Sequence, residues 1–288
     1  MPILSSPWQN FRDANGASVG ESTRSSDVST RWSDLGRRAI SASILAPLVL
    51  ACIWFGGFAF DALMLGAAVG LSLEWVTLCR VKPMTMPGLL VPTVMVLATA
   101  AACDGYAGTG VAILVAGAAI VGVMQRRVLM AAGLIGIGIG VVALVWLRQW
   151  DAADGRWTVL FVVLTVWASD IGAYSAGRLL RGPKLAPSLS PAKTWSGAAG
   201  GLAIAMLVGQ AVAGHVTLAT AVIAALLAVA CQAGDLLESG IKRHVGVKDS
   251  GNLIPGHGGL LDRLDGLLAA APTAALVVLA SGEGLFWH

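Results

Sequence analysis

Between residues 235 and 265 the chain places many ionisable side chains at the edges of apolar runs. Asp235, Glu238, Ser239 and Lys242 are spaced i, i+3, i+4, i+7, which puts all four on one helical face. Lys242-Arg243 and Lys248-Asp249 follow, then Pro255-Gly256-His257-Gly258-Gly259, a sharp turn with exposed backbone N–H groups. The next apolar run opens with Asp262-Arg263-Leu264-Asp265, its two carboxylates at i, i+3 on one face. Carboxylates beside Lys and Arg and a glycine-rich turn are the parts of a phosphate site. Acids hold Mg²⁺, cations and N–H groups hold phosphate oxygens, and the metal neutralises charge in the transition state. A solvated loop flanked by interface charges accounts for the cations, but not for three aspartates inside apolar helix ends.

A second polar stretch supplies a matching half. Gly177-Arg178 is followed by Lys184-Leu185-Ala186-Pro187 and by Ser190-Pro191-Ala192-Lys193-Thr194-Trp195. Ser190 before Pro191 reads as an N-cap with proline at the first helical position. A helix N-terminus beside Lys193 and Thr194 is a ready anion site, although a plain basic connector is also rich in Lys and Arg. Upstream, Asp170 lies deep in an apolar run, where either a pairing across helices or a polar site explains it. Glu74, four residues from the end of another run, reads as a group that snorkels or hydrogen-bonds a neighbouring helix.

The elements that position these groups are membrane spans. Hydrophobic residues make up 56% of the 288 and charged residues 12%, about half the charge of a soluble domain. Disorder, collagen and a secreted disulfide scaffold are excluded, and a formal charge of +3 is too small to suggest nucleic-acid binding. The four cysteines are far apart, without zinc spacing, and read as buried thiols. A spanning helix needs about 20 apolar residues, and nine such runs are found near 40–57, 59–78, 85–103, 107–124, 128–147, 157–179, 197–214, 217–237 and 260–281. Gly66/Gly70, Gly136/Gly140 and Gly197/Gly201 have the GxxxG spacing of close helix contacts.

The expected fold is an all-α polytopic membrane bundle. Residues 1–38 read as a polar, disordered cytoplasmic tail, 39–156 as N-terminal spans, and 157–288 as a catalytic region with cytoplasmic segments 180–196 and 238–259. Nine spans from a cytoplasmic N-terminus put 17 of the 19 Lys and Arg residues inside, only Arg148 and Arg156 falling outside. Positive residues favour the cytoplasm, so the C-terminus is expected on the other side.

At the residue level the chain resembles the phosphatidate cytidylyltransferases, also called CDP-diacylglycerol synthases. Their signature runs Ser-x-hydrophobic-Lys-Arg-x4-Lys-Asp-x-small-x2-hydrophobic-Pro-x-His-Gly-Gly-hydrophobic-x-Asp-Arg-hydrophobic-Asp, and it is met throughout from Ser239 to Asp265. Asp170-x-Gly172-Ala173-Tyr174, Gly177-Arg178, Lys184-Leu185-x-Pro187 and Ser190-Pro191-x-Lys193-Thr194 are similar to that family too. Ile171 stands where Thr is common and Ser196 where Glu is usual. The strong resemblance covers about 157–281; the earlier spans match only in hydropathy.

The resemblance implies that CTP and phosphatidic acid give CDP-diacylglycerol and diphosphate, with Mg²⁺ and a second cation. It implies a homodimer in the cell inner membrane, with a polar cavity open to the cytoplasm and laterally to the bilayer. By the same analogy Asp235 and Asp262 are metal ligands, and Lys193, Lys242, Arg243, Lys248 and Arg263 meet phosphates. Asp249, His257 and Asp265 serve the metal surroundings, loop ordering or the nucleotide, while Asp170, Tyr174, Arg178, Lys184, Ser190, Thr194 and Ser239 contact substrate.

Two rival readings fare worse. The CDP-alcohol phosphotransferases resemble Asp-x2-Asp-Gly-x2-Ala-Arg followed by further Asp; Asp262-x2-Asp265-Gly266 begins that pattern, but Ala269-Ala270 departs from it and no Asp follows. A transporter using intramembrane carboxylates as a proton or cation relay often carries repeats. No repeat is found here, and the polar residues cluster in the last third.

Overall fold

The computed structural model describes residues 43–282 except 125, 152–153 and 252–257. The tail at 1–38 and His257 therefore lie outside the described residues. The helices are α1 (Ser43–Phe55), α2 (Gly57–Leu78), α3 (Met86–Cys103), α4 (Ala107–Ala119), α5 (Val128–Gln149), α6 (Gly155–Leu180), α7 (Trp195–Ala213), α8 (Leu218–Val245) and α9 (Leu261–Ser281). Each falls on one of the nine apolar runs. Among the described residues seven are long and apolar enough to cross a membrane; Ser43–Phe55 and Ala107–Val123 are shorter. The chain is thus a polytopic helical bundle.

Breaks between helices follow local chemistry. Gly56 at φ +66° separates α1 from α2, which resolves two closely spaced runs into two helices. Helices α7, α8 and α9 end on Gly214, Gly246 and Gly282 in the left-handed conformation. Thr85 and Thr217 cap α3 and α8 by accepting from Gly88 N and Thr220 N.

One element departs from the all-helical expectation. Lys184–Ala186 (β1) and Ser190–Thr194 (β2) pair antiparallel, with Lys184 opposite Thr194 and Ala186 opposite Ser190. Ser190 is therefore not an N-cap. Its Ser-Pro pair opens a short two-stranded ribbon, where proline is tolerated because each strand has a free edge. The cap of α7 is Thr194, whose hydroxyl accepts from Gly197 N at 3.1 Å.

Helix α8 also runs further than expected, to Val245. Its 28 residues span about 42 Å at 1.5 Å per residue, against about 30 Å of bilayer hydrocarbon. The first eight residues of segment 238–259 are its continuation, so the Asp235 to Lys242 face is a real helical face.

The closest helix pairing is α6 on α7, followed by α8 on α9, while α5 packs on α9 and joins the two halves. A Cβ on Gly201 would stand 2.7 Å from Ser169 O and one on Gly197 2.8 Å from Ala173 O, so this GxxxG pair brings two backbones into contact. Gly66 and Gly136 face open space, whereas a Cβ on Gly140 would stand 2.8 Å from Leu268 O on α9, so only the second glycine of the Gly136/Gly140 pair serves a close contact. Leu71, Met95, Leu114, Leu134, Leu147, Phe161 and Leu227 are buried in the core.

The two ends of the bundle differ in chemistry. At the start of α6 Trp157 stacks edge-on against Trp54, Arg156 lies over the Trp54 ring at 5.0 Å, and Arg148 donates to Ile53 O. Aromatic rings mark a membrane–water interface, and Arg148 and Arg156 are the two basic residues that the sequence separates from the other seventeen. The ionisable cluster lies toward the opposite end of α6. There Arg80, just past α2, donates to Val245 O at 2.6 Å and satisfies a terminal carbonyl of α8. The reading of the cysteines as buried thiols holds for Cys231 alone: all four are free, but Cys52, Cys79 and Cys103 are only half-buried, and burial pushes the Cys79 thiol up to about 11.

Candidate active site

The C-terminal halves of α6 and α8, the hairpin, and the N-terminal ends of α7 and α9 enclose a cavity of about 800 Å³. That volume falls in the usual range for small-molecule sites, about 300–1,000 Å³. Its charged lining consists of Asp170, Asp235, Asp262 and Asp265 facing Arg178, Lys193, Lys242 and Arg263. Four carboxylates thus face four cations among otherwise apolar helices. Trp167, Tyr174, Thr194 and Gln232 complete the polar wall.

Each aspartate is placed by a different device. Asp170 projects into the cavity from the middle of α6 and accepts from Cys231 Sγ at 3.6 Å, which explains its exposure deep in a spanning helix. Asp235 on α8 forms an ion pair with Lys193 from β2, and Ser239 Oγ, one turn on, reaches it at 3.5 Å. Asp262 occupies the first turn of α9, where it accepts from Ser250 N at 3.1 Å, Gly259 N at 3.0 Å and Lys242 Nζ at 2.7 Å. Asp265, one turn further along α9, adjoins Glu238. Lys242 also reaches Glu238 at 3.3 Å, so one ammonium bridges two carboxylates from different helices.

The expected site residues divide by location. Asp170, Tyr174, Arg178, Lys193, Thr194, Asp235, Lys242, Asp262, Arg263 and Asp265 meet in the cavity. Arg178 donates to Tyr174 Oη at 2.8 Å, one turn back on α6. Lys184 and Ser190 sit on the hairpin, and Ser239 stands behind Asp235, without lining the cavity. Arg243, Lys248 and Asp249 are exposed around the C-terminal end of α8 and outside the cavity wall. Arg243 Nη1 donates to Val247 O at 3.5 Å.

Residues 36–281 match the cytidylyltransferase family. The chain belongs to that family. The match takes in every helix among the described residues and every residue of the cavity wall. The phosphatidate cytidylyltransferase of Brucella suis biovar 1 (strain 1330) is 41% identical over 251 residues, 83% of this chain and 91% of its own. That of Pseudomonas aeruginosa is 35% identical over 270 residues, 87% of this chain and 99% of its own. That of Haemophilus influenzae is 44% identical over 136 residues, 42% of this chain and 46% of its own.

Two carboxylates of this chain escape a reading by motif. Glu238 lies on the expected face of α8, yet it points into a buried position against Lys242 and Asp265 rather than into the cavity. Glu74, only 5% exposed, accepts from Leu260 N and Leu261 N at 2.8 Å each. A carboxylate in an apolar run was a visible signal for Glu74, but its partners lie 186 and 187 residues away.

The donor set suits a hard cation. Among the described residues no group of three or more His, Cys, Asp or Glu converges on one point. Mg²⁺ requires less, since it keeps several waters and takes one or two carboxylates together with substrate phosphates. Asp235 and Asp262 are the carboxylates that could hold such a cation, since both line the cavity and each is paired with an ammonium.

Proposed function

We propose that the chain transfers the cytidylyl group of CTP to phosphatidic acid, giving CDP-diacylglycerol and diphosphate for phospholipid synthesis. The observation that carries this reading is the juxtaposition of four carboxylates and four cations in one cavity at the ends of spanning helices. Membership of the cytidylyltransferase family and the names of its relatives support it.

The reaction needs little covalent help from the protein. A phosphate oxygen of phosphatidic acid attacks the α-phosphorus of CTP in line, the new P–O bond forms, and the bond to the β-phosphate oxygen breaks to release diphosphate. The nucleophile is already an anion, so no strong base is required. Catalysis is positioning and charge neutralisation. Lys193, Lys242, Arg178 and Arg263 hold phosphate oxygens, and Thr194 fixes the N-terminus of α7, whose free N–H groups favour an anion. Asp235 and Asp262 would hold Mg²⁺, which when bound neutralises charge on the phosphates. Tyr174 lines the cavity, and its helix also exposes Ile171, Leu179 and Leu180, while Trp195 is exposed at the start of α7. That apolar flank suits a lipid substrate entering from the side.

The fuller arrangement is part of the same proposal. Spans before 157 form a scaffold and those after it the catalytic region. The cavity faces the cytoplasm of a bacterial inner membrane, the C-terminus lies on the other side, and two copies assemble as a homodimer. The segregation of 17 of 19 basic residues supports the orientation, and the family resemblance supports the dimer and the second cation. The test is CTP-dependent diphosphate release by purified protein with phosphatidic acid in detergent. A protein that binds neither CTP nor Mg²⁺ and releases no diphosphate would overturn the reading.

A further inference from the structure

Glu74 belongs to α2, in the half of the molecule outside the motifs, yet its carboxylate ends on the catalytic helix. Oε1 accepts from Leu260 N and Oε2 from Leu261 N, both at 2.8 Å, and Ser250 Oγ reaches Oε2 at 3.5 Å. The cradle leaves no space to spare. A Cβ on Gly251 would stand 2.8 Å from Oε1 and one on Gly259 2.9 Å from Oε2. The preceding donor of the same turn, Gly259 N, goes to Asp262, which also accepts from Ser250 N in the segment after α8. Two carboxylates therefore divide the consecutive N–H groups of Gly259, Leu260 and Leu261 at the start of α9 between them. Asp262 can keep its own pair only while Leu260 and Leu261 are satisfied elsewhere, because an unfilled buried N–H costs about 1–3 kcal/mol and competes for the nearest acceptor.

We propose that Glu74 is a positioning residue of the reaction: it takes the Leu260 and Leu261 amides and so fixes the Asp262 carboxylate toward the cavity. The inference rests on the reading of Asp262 as a cation ligand. Glu74 touches neither substrate nor metal and acts through the α9 turn. Groups that orient a metal ligand in this manner change cation affinity by about 10–100-fold when removed.

Glu74→Gln preserves the packing volume and one acceptor oxygen; Glu74→Ala removes both acceptors, and Glu74→Asp retracts the carboxylate by a methylene. Amide hydrogen exchange in detergent, without substrates, reads the turn directly. Leu260 and Leu261 should exchange at least about tenfold faster in Glu74→Gln, while core amides of α5 keep the parent rate. In parallel, the Mg²⁺ concentration for half-maximal turnover should rise about tenfold or more, with the KM for CTP at saturating Mg²⁺ changed less than about threefold. A merely structural role would lower the unfolding temperature and leave the Mg²⁺ midpoint unchanged. If Glu74→Ala does not fold, Glu74→Gln decides.

Parent-like exchange at Leu260 and Leu261 in Glu74→Gln overturns the inference, as does a parent-like Mg²⁺ midpoint. Asp262→Asn separates the two levels. If it abolishes the Mg²⁺ dependence while Glu74→Gln leaves the midpoint unmoved, the positioning role fails and the metal reading survives. If Asp262→Asn keeps the parent Mg²⁺ dependence, the metal reading fails, and the proposal falls with it.

Discussion

Replacing Lys242 by methionine removes an ammonium while keeping most of its apolar stem. Its Nζ lies 2.7 Å from Asp262 and 3.3 Å from Glu238, and the three side chains are 13%, 13% and 7% exposed. The gross attraction to Asp262 at that distance is about 6 kcal/mol for an effective dielectric of about 20. Desolvating the two charged groups offsets most of that. The deletion is asymmetric, however, because the Asp262 carboxylate stays in place without its counter-charge. Breaking a buried pair in this manner costs about 3–5 kcal/mol. Adding Asp262→Asn removes the orphaned charge, so the double variant should recover about half of the loss. Turnover should separate from stability. Both variants should release diphosphate about 10²–10³-fold more slowly, since a donor aimed at developing negative charge contributes about 3–4 kcal/mol. Thermal unfolding in detergent and CTP-dependent diphosphate release measure the two effects. A double variant no more stable than Lys242→Met would refute the charge-balance argument, and turnover within about threefold of the parent would refute the phosphate role.

Further outcomes follow from the same geometry. Asp235→Asn and Asp262→Asn should each lower turnover by about two orders of magnitude or more, Asp262→Asn also lowering the unfolding temperature because it takes the counter-charge from Lys242; near-normal activity in either removes that residue from the metal role. Gly201→Leu drives a side chain into Ser169 O on α6 and should destabilise the protein by at least about 3 kcal/mol, read as a lower unfolding temperature. Thr194→Ala should cost about 1 kcal/mol through the lost Gly197 bond, and Thr194→Ser should restore it. A tag at residue 288 should be labelled from the non-cytoplasmic side; cytoplasmic labelling would require a different topology.

Hydropathy alone located the helices, because a lipid-facing helix must be apolar for about 20 residues and Gly56, Gly214 and Gly246 interrupt it where the chain must turn, although among the described residues only seven of the nine expected spans are long enough to cross. The polar face from Asp235 to Lys242 was legible for a similar reason: helical period is a property of neighbours in sequence. The hairpin at 184–194 was not, since Ser-Pro suits a helix start as well as a free strand edge and only pairing with Lys184–Ala186 decides between them. Partners brought together by tertiary packing were equally hidden. Lys193 finds Asp235 across 42 residues, and nothing near Glu74 in the chain indicates that its acceptors serve Leu260 and Leu261.

The contacts of α2 with α8 and α9 have a consequence for the segment between those helices. Arg80 places a cation on the C-terminal end of α8, and Glu74 an anion on the N-terminal end of α9. Each charge is of the sign that opposes the local helix dipole. Helix α2 and the turn that follows it thereby pin both ends of the roughly 15-residue connection that carries Lys248, Asp249 and His257. Closing a loop of that length costs about 2 kcal/mol in chain entropy beyond a constant. Here that cost is met during folding, because contacts outside the connection hold Val245 and Leu260 at a fixed separation.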